Sequence, residues 1–290
     1  MVKLLIYGLL FFLFFILGCK SEKSSEDAFE EEISLTDQVS KAKQIIYGIP
    51  SPVETAMLLK RAGAKYSQEF LNPIENLGNY TSTLSMALNL GIYSADLSFS
   101  SLFEQSQASI KYLSACKKLA DDLGILNAID KTLITRMENN ITNKDSVMEI
   151  ISESFMNTNS FLKENDRGEI AAIILAGGWI EGLYLSTQIV KNTDYNQEIM
   201  ERIADQRLSL YTLINMLSTY KNDMNVKKVI DMLQKIKSPF DKIQTKSSKI
   251  EVIEKNGKSY ISSTSEIVFP KEVFDELEAT VAQVRYEIIK

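Results

Sequence analysis

From residue 51 the chain alternates apolar and polar positions with a period close to that of an α-helix. Ser51-Pro52-Val53-Glu54 reads as a helix start: a capping Ser, a Pro at the first helical position and a Glu that completes a capping box. Val53, Met57, Ala62, Tyr66 and Phe70 then recur at near-helical spacing until Asn72-Pro73 breaks the run. Ile125, Ile129 and Leu133 share a face, as do Ile199, Ile203, Leu210, Ile214 and Leu217, and Val226, Val229, Ile230 and Leu233. The rhythm predicts about eight helices between residues 51 and 238, joined by short loops as in an antiparallel bundle.

The period changes near the C-terminus. Residues Ile250 to Ile261 alternate around Asn256-Gly257, a strong signal for a two-residue hairpin. A third short strand is expected at Glu266–Phe269, and Pro270 opens a last helix with Val273, Phe274, Leu277, Val281, Val284 and Ile288 on one face. The fold class is therefore mainly all-α. A helical domain spans 49–240, and a hairpin and terminal helix over 241–290 should pack on it, since a lone hairpin is marginal in water.

Two stretches resemble each other. Phe70-Leu71-Asn72 leads to Ala87-Leu88-Asn89-Leu90-Gly91-Ile92-Tyr93-Ser94-Ala95, and Phe161-Leu162-Lys163 leads to Ile174-Leu175-Ala176-Gly177-Gly178-Trp179-Ile180-Glu181-Gly182. Leu133-Ile134 with Val147 and Ile151 further resembles Leu213-Ile214 with Val229 and Leu233. The pattern suggests two similar four-helix halves, 51–144 and 145–240, although gaps are needed to align them. Small residues sit one turn apart in both matched helices, Gly91 and Ala95 in one and Gly178, Gly182 and Ser186 in the other. Such residues let helix backbones approach closely. A membrane span over Ile170–Leu185 is the alternative, but Glu181 interrupts it and the unbroken apolar run is short, so a buried central helix is expected.

Composition narrows the chemistry. The formal charge is −6, which disfavours binding to a phosphate backbone and makes nucleic acid an unlikely partner. There is no histidine, the commonest general base and metal ligand. The two cysteines are Cys19 and Cys116. Cys116 lies in a helical run near Leu113 and Ala120 and reads as a small buried hydrophobe.

The first residues read as an address. Lys3 precedes an apolar run from Leu4 to Gly18, too short to span a bilayer and of the length of a signal-peptide core. The run ends in Ile16-Leu17-Gly18-Cys19, which resembles the lipobox of bacterial lipoproteins. The resemblance implies a signal peptide over 1–18, cleavage after Gly18, and diacylglycerol on the Cys19 sulfur, often with a further acyl chain (palmitate or similar) on the new amine. Two or three chains hold a protein at a membrane where one does so only marginally. Lys20 at the next position is expected to favour the outer membrane of a Gram-negative cell. Residues 19–48 have few apolar positions and read as a disordered acidic tether, with a reach of roughly 30 Å by coil scaling. The chain as a whole looks like the helical outer-membrane lipoproteins of Gram-negative bacteria whose roles are unassigned.

No phosphate loop, paired-cysteine metal site or nucleophile elbow is present, and neither metal nor cofactor is expected. Ser114-Ala-Cys-Lys117 matches Ser-x-x-Lys, but the companion motifs of penicillin-interacting enzymes are missing. The best candidate for a ligand site is Tyr93, Asp96, Trp179, Glu181 and Tyr184, where the two glycine-bearing helices should cross. The simpler reading of this set is packed aromatics with the acids exposed on the opposite face. Two functions follow. One is a non-enzymatic binding or scaffold module of the envelope, recognising another envelope protein or a small ligand. The other is an envelope-polymer enzyme using two carboxylates in a cleft.

Overall fold

The computed structural model describes Lys60 and residues 63–126, 131–193, 195–247, 251–255, 258–262 and 265–290, all within one compact unit, Tyr47–Lys290. Cys19, the leader and the expected tether lie outside the described residues. The fold is an all-α helical bundle. Its helices are α1 (Thr83–Leu102), α2 (Ser106–Asp122), α3 (Lys131–Asn139), α4 (Lys144–Glu164), α5 (Gly168–Lys191), α6 (Gln197–Ser218), α7 (Met224–Phe240) and α8 (Lys271–Ile289).

Local chemistry sets the helix ends. Ser82 and Ser85 form a reciprocal capping box at the start of α1. Asn143, Asn196 and Asp223 cap α4, α6 and α7 by accepting backbone N–H groups that have no partner within the helix. Three corners close alike. Glu104, Gly124 and Asp166 adopt left-handed φ values of 60°, 66° and 55°. In each, the next N–H reaches back five residues: Gln105 to the Ser100 carbonyl, Ile125 to Ala120 and Arg167 to Leu162.

Helix α5 is the centre. Every residue from Ile170 to Leu183 is buried, and a helix apolar all round belongs in a core. It has the length and composition to cross a membrane, yet 94% of its apolar window is covered by the bundle. Its main neighbour is α1, with α4, α6 and α8 packed around it and α2 behind α1. The small residues allow the central contact. A Cβ on Gly91 would lie 2.0 Å from the Ile174 carbonyl oxygen and 2.6 Å from the Gly178 nitrogen, and one on Gly177 would lie 2.1 Å from the Leu88 oxygen. Backbone meets backbone at this crossing.

Two expectations need correction. The helix predicted from Ser51 does not continue to Phe70: Gly63 adopts a left-handed φ of 84°, residues 64–67 are irregular, and Gln68–Phe70 and Ile74–Asn79 are separate 3₁₀ turns on either side of Pro73. Residues 51–59 of that helix lie outside the described set. The third strand exists but pairs elsewhere. β1 (Gln244–Ser247) runs antiparallel to β4 (Ser265–Val268), and β2 (Glu251–Lys255) antiparallel to β3 (Lys258–Ser262), as two separate two-stranded ladders; the expected Asn256-Gly257 turn lies outside the described residues. Helix α8 packs on α7 and α5, and Ile243 and Phe269, which flank the strands, are buried.

The matched segments place α1 against α5, α3 beside α6 in sequence order and α4 beside α7, leaving α2 without a counterpart. Their leading pieces also differ, since Phe70 ends a 3₁₀ turn and Phe161 lies inside α4.

Candidate functional site: a buried ionic cluster

The sequence placed its candidate site at the α1–α5 crossing, and three of its five residues, Asp96, Glu181 and Tyr184, belong to one cluster. Asp96 on α1 and Glu181 on α5 are both 0% exposed. The expectation that the acids face outward is therefore wrong: they are among the most buried groups in the protein. Arg285 of α8 makes this tolerable. Its Nε donates to Glu181 Oε2 at 2.6 Å and its Nη2 to Oε1 at 2.7 Å, a two-point contact that matches the carboxylate geometry. Nη2 also donates to the Phe70 carbonyl at 3.0 Å. Tyr184, half-buried, lies under the guanidinium with its ring centre 4.1 Å away, adding a cation–π contact.

Asn72 is the second hub. Its N–H donates to Asp96 Oδ2 at 3.0 Å, its Nδ2 to Tyr80 Oη and Asn89 Oδ1, and its carbonyl accepts from Tyr112 Oη. Asn89 Nδ2 and Tyr80 Oη then donate to the carbonyls of Ile288 and Ile289. The buried C-terminal end of α8, which has carbonyls to satisfy, thus finds donors on α1 and the preceding turn. The network runs from residue 70 to residue 289 through mostly buried groups.

Electrostatics follow from this geometry. Burial, reinforced by the neighbouring Glu181 charge, raises the Asp96 carboxyl well above the usual range. Burial alone would lower Arg285, but the Glu181 carboxylate outweighs it and holds the guanidinium protonated. Burial also raises the phenols of Tyr66, Tyr80, Tyr93 and Tyr112, so all four are neutral.

Two predicted members stand apart. Tyr93 is fully buried but donates to the Pro73 carbonyl and packs against Tyr80 and Tyr112. The Trp179 ring nitrogen has no hydrogen-bond partner; two residues from Glu181, it points to a different side of α5. The missed members are Arg285, Asn72, Asn89, Tyr80 and Tyr112. Arg285 did leave a signal, a charge on the apolar stripe of α8 between Val281 and Ile288. The Ser-x-x-Lys match dissolves: exposed Ser114 donates to its own helix at Ile110, and Lys117 pairs with Glu138. Among the described residues, no group of three metal-ligating side chains comes together.

Fold and site together define a helical bundle closed around a buried ionic cluster. No family model, no characterised protein and no solved structure matches this chain.

Proposed function

We propose that this chain is a lipid-anchored module of the bacterial envelope that works by binding or scaffolding rather than by catalysis. The observation that carries the non-catalytic reading is the placement of Asp96 and Glu181. An acid pair that attacks a glycan must share a cleft with substrate and water. Here both carboxyls are sealed in the core, and Glu181 is committed to Arg285 at two points. The anchor rests on Lys3, the apolar run and Ile16-Leu17-Gly18-Cys19, and the outer-membrane assignment on Lys20.

Two experiments test it. Metabolic labelling with a fatty acid should mark the wild type and not Cys19→Ser, which should leave the membrane fraction or accumulate as precursor. Equal labelling of both ends the anchor reading. A pull-down from envelope extracts with the anchored protein should return a saturable partner. Turnover of an envelope polymer that survives Glu181→Gln in folded protein would put catalysis elsewhere on the surface and end the binding-only reading.

A further inference from the structure

Two carboxyls share one sealed space with one guanidinium. Arg285 commits Nε and Nη2 to Glu181 and Nη2 again to the Phe70 carbonyl. Asp96 receives one N–H, from Asn72 on Oδ2, and its other oxygen, fully buried, meets no donor. The remaining groups near it bring no positive charge. Tyr66, Tyr93 and Tyr112 are neutral phenols, Cys116 on α2 is a neutral thiol, and Asn72 is an amide. With both acids ionised, the core would hold an uncompensated negative charge beside a bare oxygen, among the costliest arrangements a protein interior can hold.

We propose that Asp96 is a neutral carboxylic acid in the native protein, so that Asp96, Glu181 and Arg285 close the core as a neutral cluster containing one proton. The bare Oδ1 is the oxygen free to carry that proton, since Oδ2 already accepts from Asn72. The raised affinity of Asp96 for a proton agrees.

A consequence is sensitivity to alkali at the point where α1, α5, α8 and the turn at Phe70–Asn72 meet. A carboxyl whose folded pKa lies above its unfolded value binds in the native state a proton that the unfolded chain has released. Its contribution is complete below the unfolded carboxylate range and is lost as pH rises through the folded value. The cluster is therefore a latch that holds in acid and loosens in base.

The test uses the full chain in detergent micelles. Infrared spectra of wild type at neutral pH should show the carbonyl stretch of a protonated carboxylic acid, slow to exchange in heavy water and missing from Asp96→Asn. Denaturant midpoints between about pH 5 and pH 9 should fall with rising pH for wild type and stay flatter for Asp96→Asn, which mimics the neutral acid. A neutral-pH spectrum of wild type without a protonated carboxyl overturns the proposal. So does an Asp96→Asn variant whose midpoint keeps the wild-type slope. If that variant does not fold, the wild-type spectrum alone decides.

Discussion

Gly91 lies so close to Ile174 that a Cβ on the glycine would fall 2.0 Å from the isoleucine's carbonyl oxygen. The obstacle is backbone in the centre of the bundle, so it cannot turn aside as a side chain would. Gly91→Ala should therefore destabilise the protein, although alanine forms helix better than glycine by about 1 kcal/mol. Gly177→Ala should do the same, because its Cβ would meet the Leu88 backbone. Overpacking of this kind costs about 1–3 kcal/mol, read as a lowered denaturant midpoint. Midpoints at or above wild type for both variants would mean that α1 and α5 do not cross at contact distance.

The Glu181–Arg285 pair should show the asymmetry of buried ions. Arg285→Met leaves Glu181 buried without its partner, and Glu181→Gln strands Arg285. Each is expected to cost about 3–5 kcal/mol. The double variant should cost less than the two single losses added together, since neither charge then remains. A thermodynamic cycle by urea denaturation measures this, and strict additivity would show that the two side chains do not interact.

Glu104 sits in the left-handed region at φ 60°, which costs a non-glycine residue about 1–2 kcal/mol. Glycine stands at the equivalent place after α2, Gly124. Glu104→Gly should raise the melting temperature, because relief of backbone strain exceeds the loss of a surface contact between Lys144 and Glu104 at 3.9 Å. Calorimetry decides, and an unchanged or lower Tm would count against that turn.

Cys116 is partly rather than fully buried and faces Ser94, its sulfur 3.8 Å from the hydroxyl; burial of the sulfur pushes its thiol up to about 12. Only the thiolate alkylates readily. At neutral pH, Cys116 should resist iodoacetamide in folded protein and react fully once urea unfolds the chain, as mass spectrometry would show. Rapid labelling of the native state would show that the site is open.

Much of the architecture could be read from periodicity. The amphipathic stripe at Val226, Val229 and Leu233 became α7, the Pro270 start became α8, and the small residues at Gly91 and Gly178 marked the central crossing. Strand β1 escaped notice because Gln244-Thr-Lys-Ser carries no apolar alternation; only its pairing with β4 makes it a strand. Of the cluster, Asp96 and Glu181 were legible as acids within apolar helices. Their partner was not, because Arg285 lies 104 residues beyond Glu181 and local spacing carries no information about that distance. Asn72 read as a helix breaker before Pro73, and its role depends on α1 and α2 converging on its backbone amide and carbonyl.

The order in which the residues are made gives the Arg285 contact a kinetic meaning. Glu181 and Asp96 belong to helices synthesised well before α8, and so do Asn89 and Tyr80, which donate to the Ile288 and Ile289 carbonyls. Until α8 arrives, docking α1 on α5 would bury an acid with no counter-charge, so the nascent chain has a reason to stay open. Completion of the core is thereby postponed until α8 has been made.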